Sequence, residues 1–147
     1  MATTFTTQQI EWDSVAYHSA CVLRDTELRL PLGMQLSAED VSAEKYQEHF
    51  AAFVDDVLVA CVLFKPFSNK HLKLRQMAVA RSQQGRGVGQ RLVAFAELKL
   101  QESGFQSVEL AARCTAKGFY LKLGYSPEGA IFTEVGIPHV KMVKTLA

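Results

Sequence analysis

Leu72-Lys73-Leu74-Arg75-Gln76-Met77-Ala78-Val79 alternates apolar and polar residues until Met77, the period of a half-buried strand. From Val88 to Ser103 the period becomes helical. Gly89, Leu92, Val93, Ala96 and Leu100 fall on one face, and Gln90, Glu97 and Gln101 on another. The rest of the chain arranges itself around this pair. Upstream, the threonine-rich stretch Thr3 to Ile10 predicts a first strand. Asp13 or Ser14 caps a helix running to about Leu30, with Val15, Ser19, Val22, Leu23 and Thr26 on a mostly apolar face. Pro31 ends it, Pro31-Leu32-Gly33 turns the chain, and Ser37 begins a short second helix with Glu39 and Asp40 in its first turn. Glu48 to Val54 and Val57 to Phe64 form a hairpin around Asp55-Asp56, a weaker turn signal than Asp-Gly, and Pro66 to Lys70 is a loop. Downstream, Gly104 closes the helix. Ser107 to Ala111 is a strand parallel to the central one, since a helix joins them. A helix from about Thr115 ends at Gly124. Residues 125–146 hold two short strands around Gly129 and Gly136-Ile137-Pro138, the last being Val140 to Val143. The pattern is that of an α/β domain with a mixed sheet.

The turn between central strand and helix is Gln84-Gly85-Arg86-Gly87-Val88-Gly89. The first N–H groups of a helix lack intrahelical partners, and the macrodipole makes that end partly positive, so a glycine-rich turn there suits an anion. No Gly-Lys-Ser/Thr follows, so it is not a Walker loop, and no acidic residue closes a second strand as a dinucleotide fingerprint requires. Charge sharpens the picture. Residues 1–56 carry three Lys/Arg against ten Asp/Glu, whereas residues 57–96 carry seven Lys/Arg and no carboxylate. The basic block coincides with the glycine turn and includes Arg81, Arg86 and Arg91, which favours a polyanionic ligand. A nucleic-acid binder would be basic overall, and the formal net charge here is only +1.

The 147 residues fit one domain. No apolar run reaches membrane-spanning length, and Met1-Ala2-Thr3-Thr4 does not open a signal peptide. Cys21, Cys61 and Cys114 are odd in number and widely spaced, so neither a zinc site nor a disulfide framework is indicated, and a reducing cytoplasm is the expected compartment.

The spacing Gln-x-x-Gly-x-Gly from Gln84 to Gly89 resembles the acetyl-CoA pyrophosphate loop of the GNAT superfamily of N-acetyltransferases, and Phe119-Tyr120-Leu121-Lys122-Leu123-Gly124-Tyr125 resembles a second segment of the same superfamily. The likeness runs from about Phe50 to the C-terminus, and Gly136-Ile137-Pro138-His139-Val140-Lys141-Met142 is similar to the ending of a bacterial subgroup. The resemblance implies one acyl-CoA N-acyltransferase domain over residues 1–147. Its sheet would be mixed and mostly antiparallel, with six to seven strands, helices on both faces, and a splay at the central parallel pair. It implies transfer of an acetyl group from acetyl-CoA, as co-substrate and without a metal, to a primary amine of a small molecule or peptide. It implies neither nucleic acid nor membrane as partner, and, relatives often being dimers, leaves a homodimer open.

By the same resemblance, Met77, Ala78 and Val79 contribute backbone along the pantetheine, and Gln84, Gly85, Arg86, Gly87, Val88 and Gly89 hold the pyrophosphate. Tyr120 is the expected general acid, since a phenol keeps its proton at neutral pH, while Tyr125 is structural. Many relatives carry a glutamate base on the central strand; here that stretch reads Leu74-Arg75-Gln76. The amine proton is then left to a water chain ending on a backbone carbonyl, or to His139, Glu109 or Glu134. His139 is the candidate because glycine and proline fix the chain just before it and imidazole exchanges protons near neutral pH. The competing role is a carbonyl-bonded histidine that shapes the turn. A domain that binds acyl-CoA as a sensor without chemistry is the alternative function, and a nucleotide-phosphate module a further one. The family's asparagine before the tyrosine helix is absent, Cys114 reads as a small apolar residue, and His18, His49 and His71 show no ligand spacing. The acidic N-terminal third suggests attraction of a cationic amine.

Overall fold

The structure, a computed structural model, describes residues 3–29 and 42–146. The expected end of the first helix at Leu30, the Pro31-Leu32-Gly33 turn and the helix from Ser37 lie outside the described residues. Seven strands form one sheet in the order β1-β2-β3-β4-β5-β7-β6. They are β1 (Phe5–Ile10), β2 (Glu48–Val54), β3 (Val57–Pro66), β4 (His71–Val79), β5 (Ser107–Arg113), β6 (Ser126–Glu134) and β7 (Ile137–Thr145). Among the described residues only the β4–β5 pair is parallel. The helices are α1 (Val15–Arg24), α2 (Val88–Glu102) and α3 (Lys117–Lys122).

Strand alternation sorts side chains to the two faces. Leu72 and Leu74 of β4, Val108, Leu110 and Ala112 of β5, and Val140 and Met142 of β7 join Leu92, Val93, Ala96 and Leu100 of α2 in the main core. The other face is shallower: Ala51, Cys61 and Ala78 lie under Ala20 of α1. Glu97, which helical periodicity assigns to the polar face of α2, is buried; Tyr125 Oη and Lys144 Nζ each donate to it at 2.7 Å. That network joins α2 to the residue before β6 and to β7, so Tyr125 works as a structural tie.

Two local expectations are corrected. Ser14 does cap α1, accepting from Tyr17 N–H at 3.1 Å, but the helix passes into a π-helical turn, Asp25–Arg29. Its buried face is Tyr17, Ala20 and Arg24, while Val15 and Val22 are 85% and 67% exposed. A small residue is needed where α1 lies on the sheet, and Tyr17 and Arg24 reach inward to Glu44. At the other end, β6 and β7 run longer than expected and meet at a two-residue turn, Val135-Gly136, so Ile137-Pro138-His139 already belongs to β7. Val135 adopts φ 46°, a conformation that a β-branched residue rarely takes. The β2–β3 hairpin turns on Asp55 and Asp56, φ 49° and 67°, the left-handed pair of a type I′ turn without its usual glycine. Asp55 and Thr4 exchange hydrogen bonds, tying the turn to β1.

Candidate active site

The site begins with a failure of pairing. β4 and β5 share three registered pairs, His71↔Ser107, Leu72↔Val108 and Lys73↔Glu109, and then diverge. His71 Nδ1 and Ser107 Oγ bond across the closed end at 2.5 Å. On its other edge β4 carries a bulge: Arg75 opposes Leu63 and Ala78 opposes Cys61, so Gln76 and Met77 share the single position of Val62. Gln76 takes φ 57°, left-handed without being glycine. A bulge bends the strand and resets its alternation. Leu74 therefore faces α2, whereas Ala78, four residues on, faces α1.

The bulge also sets the backbone. Ala80 N–H donates to Val59 O at 2.7 Å, so the main-chain groups of Ala80 and, two residues back, Ala78 turn toward β3. Those of Val79 and Met77 turn the other way, to where β5 has already left. Gln84 Nε2 donates to Val79 O at 3.0 Å and ties the glycine turn to this end of β4. Of the three residues expected along the pantetheine, Met77 and Val79 sit on the open edge, while Ala78 is committed to β3 and the α1 core.

The glycines of the turn divide into two kinds. Gly85 and Gly87 have φ 77° and 78°, and nothing lies within 4 Å of the place a Cβ would take. Gly87 is also the α2 N-cap and offers no side chain, so the first N–H groups of α2 have no capping partner from it. Gly89 lies inside the helix, where a Cβ would stand 2.9 Å from Met77 Cε and 3.3 Å from the Phe119 ring. Its smallness seats α2 on the bulge and on α3. Arg81 and Arg86 are exposed, but Arg91 stacks its guanidinium on Phe5 at 3.8 Å, away from the turn.

The diverging strands enclose a cleft of about 500 Å³, lined on both walls by β4 and β5 and closed by Tyr120, His139, Glu134, Val135 and Leu28. Tyr120 is 8% exposed and belongs to the α2-side core, wedged edge-on against Phe119 and Tyr125 at ring distances of 4.9 and 5.8 Å. Its hydroxyl has no hydrogen-bond partner among the described residues, and burial pushes its pKa up to about 12. His139 is 4% exposed and reaches the cleft from the opposite face, its Nδ1 2.7 Å from Ile137 O. A carbonyl only accepts, so Nδ1 donates, and Nε2 is left toward Glu134 Oε2 at 3.6 Å. The ring stacks on Phe132 at 5.9 Å. Nδ1 thus bonds a carbonyl, as the structural role expected, and Nε2 is left on the Glu134 side of the cleft lining. Glu109, the third proton acceptor considered, lies outside the cleft lining and is 3.8 Å from Lys141 Nζ. Cys114 is in the 3-10 turn that follows β5, and Cys21, Cys61 and Cys114 are all free thiols.

Sequence reasoning missed one buried polar cluster. Arg24 donates to both oxygens of Glu44 at 2.7 and 2.6 Å, Tyr17 Oη donates to Glu44 Oε1 at 2.7 Å, and His49 Nε2 donates to Glu44 O at 2.9 Å. Burial alone would raise the Glu44 carboxyl, but Arg24 and Tyr17 outweigh it and hold it below the usual range, while burial lowers His49. An Arg and a Glu 20 residues apart carry no pairing signal in the sequence. Among the described residues no three His, Cys, Asp or Glu gather to hold a metal, and no helix is long and apolar enough to cross a membrane.

The profile of a family described as Acetyltransferase (GNAT) domain matches residues 31–146. Over 105 residues, 67% of this chain and 70% of the relative, the sequence is 38% identical to the uncharacterized N-acetyltransferase YitI of Bacillus subtilis (strain 168). A crystal structure from Lactobacillus plantarum superposes with TM-score 0.85 at 22% identity, covering 100% of both chains. An aminoglycoside 6′-N-acetyltransferase complexed with coenzyme A superposes with TM-score 0.81 at 19% identity, covering 97% of each. At such identities the two structures share a fold with this chain: a mixed sheet with helices on both faces, opened at its parallel pair.

Proposed function

Because this chain belongs to the GNAT acetyltransferase family and is an N-acetyltransferase, we propose that it moves the acetyl group of acetyl-CoA onto a primary amine by direct attack of the amine on the thioester. Acetyl-CoA supplies the activated acyl group. The turn from Gln84 to Gly89 holds its pyrophosphate on backbone N–H groups, with the open edge of β4 at Met77 and Val79 along the pantetheine. Tyr120 gives its proton to the departing sulfur. His139 Nε2 takes the proton of the attacking amine, with Glu134 beside it to steady the imidazolium.

The observation that carries this reading is the placement of two proton carriers on opposite faces of one cleft. Tyr120 belongs to the α2 side, as does the glycine turn; His139 belongs to the α1 side. An amine entering past His139 meets the acyl carbon from one side while the thiolate leaves on the other, next to a phenol that is still protonated. The fold match to an acetyltransferase complexed with coenzyme A supports a CoA thioester as the donor.

The test is thiol release from acetyl-CoA with a panel of primary amines, run beside calorimetry of acetyl-CoA binding. Release with at least one amine supports the reading. Binding without release from any amine would assign the domain to acyl-CoA sensing instead. With a working amine, His139→Gln should remove the acidic limb of the pH–rate profile while thermal stability stays near that of the parent. An intact limb with a lowered melting temperature would return His139 to the turn.

A further inference from the structure

The face of the cleft on which the amine arrives is basic. Leu72 and Leu74 belong to the α2-side core, so Lys73 and Arg75 emerge on the α1 side, and by the same alternation along β5 so does Arg113. All three line the cleft. Among the described residues the only carboxylate in the lining is Glu134, which faces His139. Lys73, Arg75 and Arg113 are half-buried and have no ion-pair or hydrogen-bond partner among the described residues. Neighbouring charges on this face do pair: Lys141 lies 3.8 Å from Glu109 and 3.4 Å from Glu128. Three cations that find no partner among the described residues inside a concave site, while Lys141 on the same face has two, are a recognition feature. They do not belong to the CoA phosphates, whose turn is at the far end of β4 and on the α2 side of the sheet. Nor does the described part of the acidic N-terminal third counter them, since its one lining residue is Leu28.

We infer that the acceptor is an amine carrying an anionic group, a carboxylate or a phosphate, which Arg75 and Arg113 grip from the two walls of the cleft with Lys73 adding charge. This rests on the acyl-transfer reading and names the class of its acceptor. It reverses the expectation of a cationic acceptor drawn from the charge of residues 1–56. Arginine forks match both anions bidentately, and a half-buried pair loses little of its strength to water.

The experiment uses matched amines that differ by one anionic group: phenylalanine against its α-amide and phosphoethanolamine against ethanolamine, with spermidine as a polycation. Expected is a kcat/KM for an anionic member that exceeds its neutral partner's by about tenfold or more, the size of a lost charge-assisted hydrogen bond. The carboxylate and phosphate arms tell which anion is preferred. In Arg75→Gln and Arg113→Gln that ratio should collapse toward unity, through KM, while acetyl-CoA affinity by calorimetry stays unchanged. Equal rates within each pair, preference for spermidine, or an unaltered ratio in both variants overturns the inference. The same pairs are also titrated into the CoA-bound protein by calorimetry, which reads the site without turnover. Tighter binding of the anionic members without thiol release would sink the acetyl-transfer reading and leave the anion site standing. Release from neutral and anionic amines alike would do the reverse.

Discussion

Burial holds the Tyr120 hydroxyl in its acid form, and that is the form the proposed step consumes. With the pKa raised to about 12, the phenol loses its proton only as pH approaches that value, so no Tyr120-linked fall in rate should occur across the neutral and mildly alkaline range. Tyr120→Phe should lower kcat about a hundredfold, the usual contribution of a positioned general acid, and leave the acetyl-CoA dissociation constant close to the parent's. Unchanged turnover where chemistry limits the rate would make Tyr120 a packing residue. Gly87→Val tests the turn. The left-handed backbone makes the side chain cost about 1–2 kcal/mol, and the added bulk would stand in the open space proposed for the pyrophosphate. Gly104→Val, at φ 96° beyond the end of α2, imposes similar strain away from the turn. Calorimetry should show lost CoA affinity in the first variant and not in the second; equal losses would refute the assignment. That Gly87 stands at the start of α2 and Tyr120 on the short helix beside the cleft was legible because each belongs to a local motif. Gln76 and Val135 were not: their left-handed backbones follow from strand register across the sheet, which no short window of sequence contains.

Helix α1 shows the limit of periodicity at the scale of an element. Reading apolar residues as buried selects Val15 and Val22, yet the chain buries Tyr17 and Arg24 because the Glu44 carboxylate accepts from both. Strands β1 to β5, whose partners follow in sequence order, and α2, whose apolar stripe is wide, were read with nearly correct bounds, whereas β6 and β7 were read too short. Glu44→Gln leaves Arg24, 2% exposed, without its counter-charge and should cost roughly 3–5 kcal/mol of stability by denaturant unfolding. The pH dependence has a definite sign. The Glu44 pKa is depressed in the fold, so its contribution is present above the ordinary carboxylate range and is lost as pH falls through the folded value. The variant's stability curve should therefore be flatter than the parent's on the acid side. A parallel pair of curves would mean that the charge on Glu44 contributes nothing.

For the whole molecule, the basic central block and the parallel neighbour of β4 were legible, whereas the depth of the opening between them was not, since it depends on where pairing stops. Amide exchange reads that boundary residue by residue. Ala80, bonded to β3, should be protected with or without ligand, and Ala78 likewise; Met77 and Val79 should exchange quickly until CoA is added and slowly afterwards. Protection of Met77 and Val79 in the free protein would contradict the open edge. The three β4–β5 rungs with their His71–Ser107 clasp are the seam between two leaves of sheet, one of four strands and one of three. Seams of this kind bound cooperative unfolding units, which open at a lower free energy than the molecule as a whole. Acetyl-CoA laid along β4, as proposed, would work there as a missing strand: it would weld the leaves into one unit, so that the step that loads the donor would also finish the folding of the sheet.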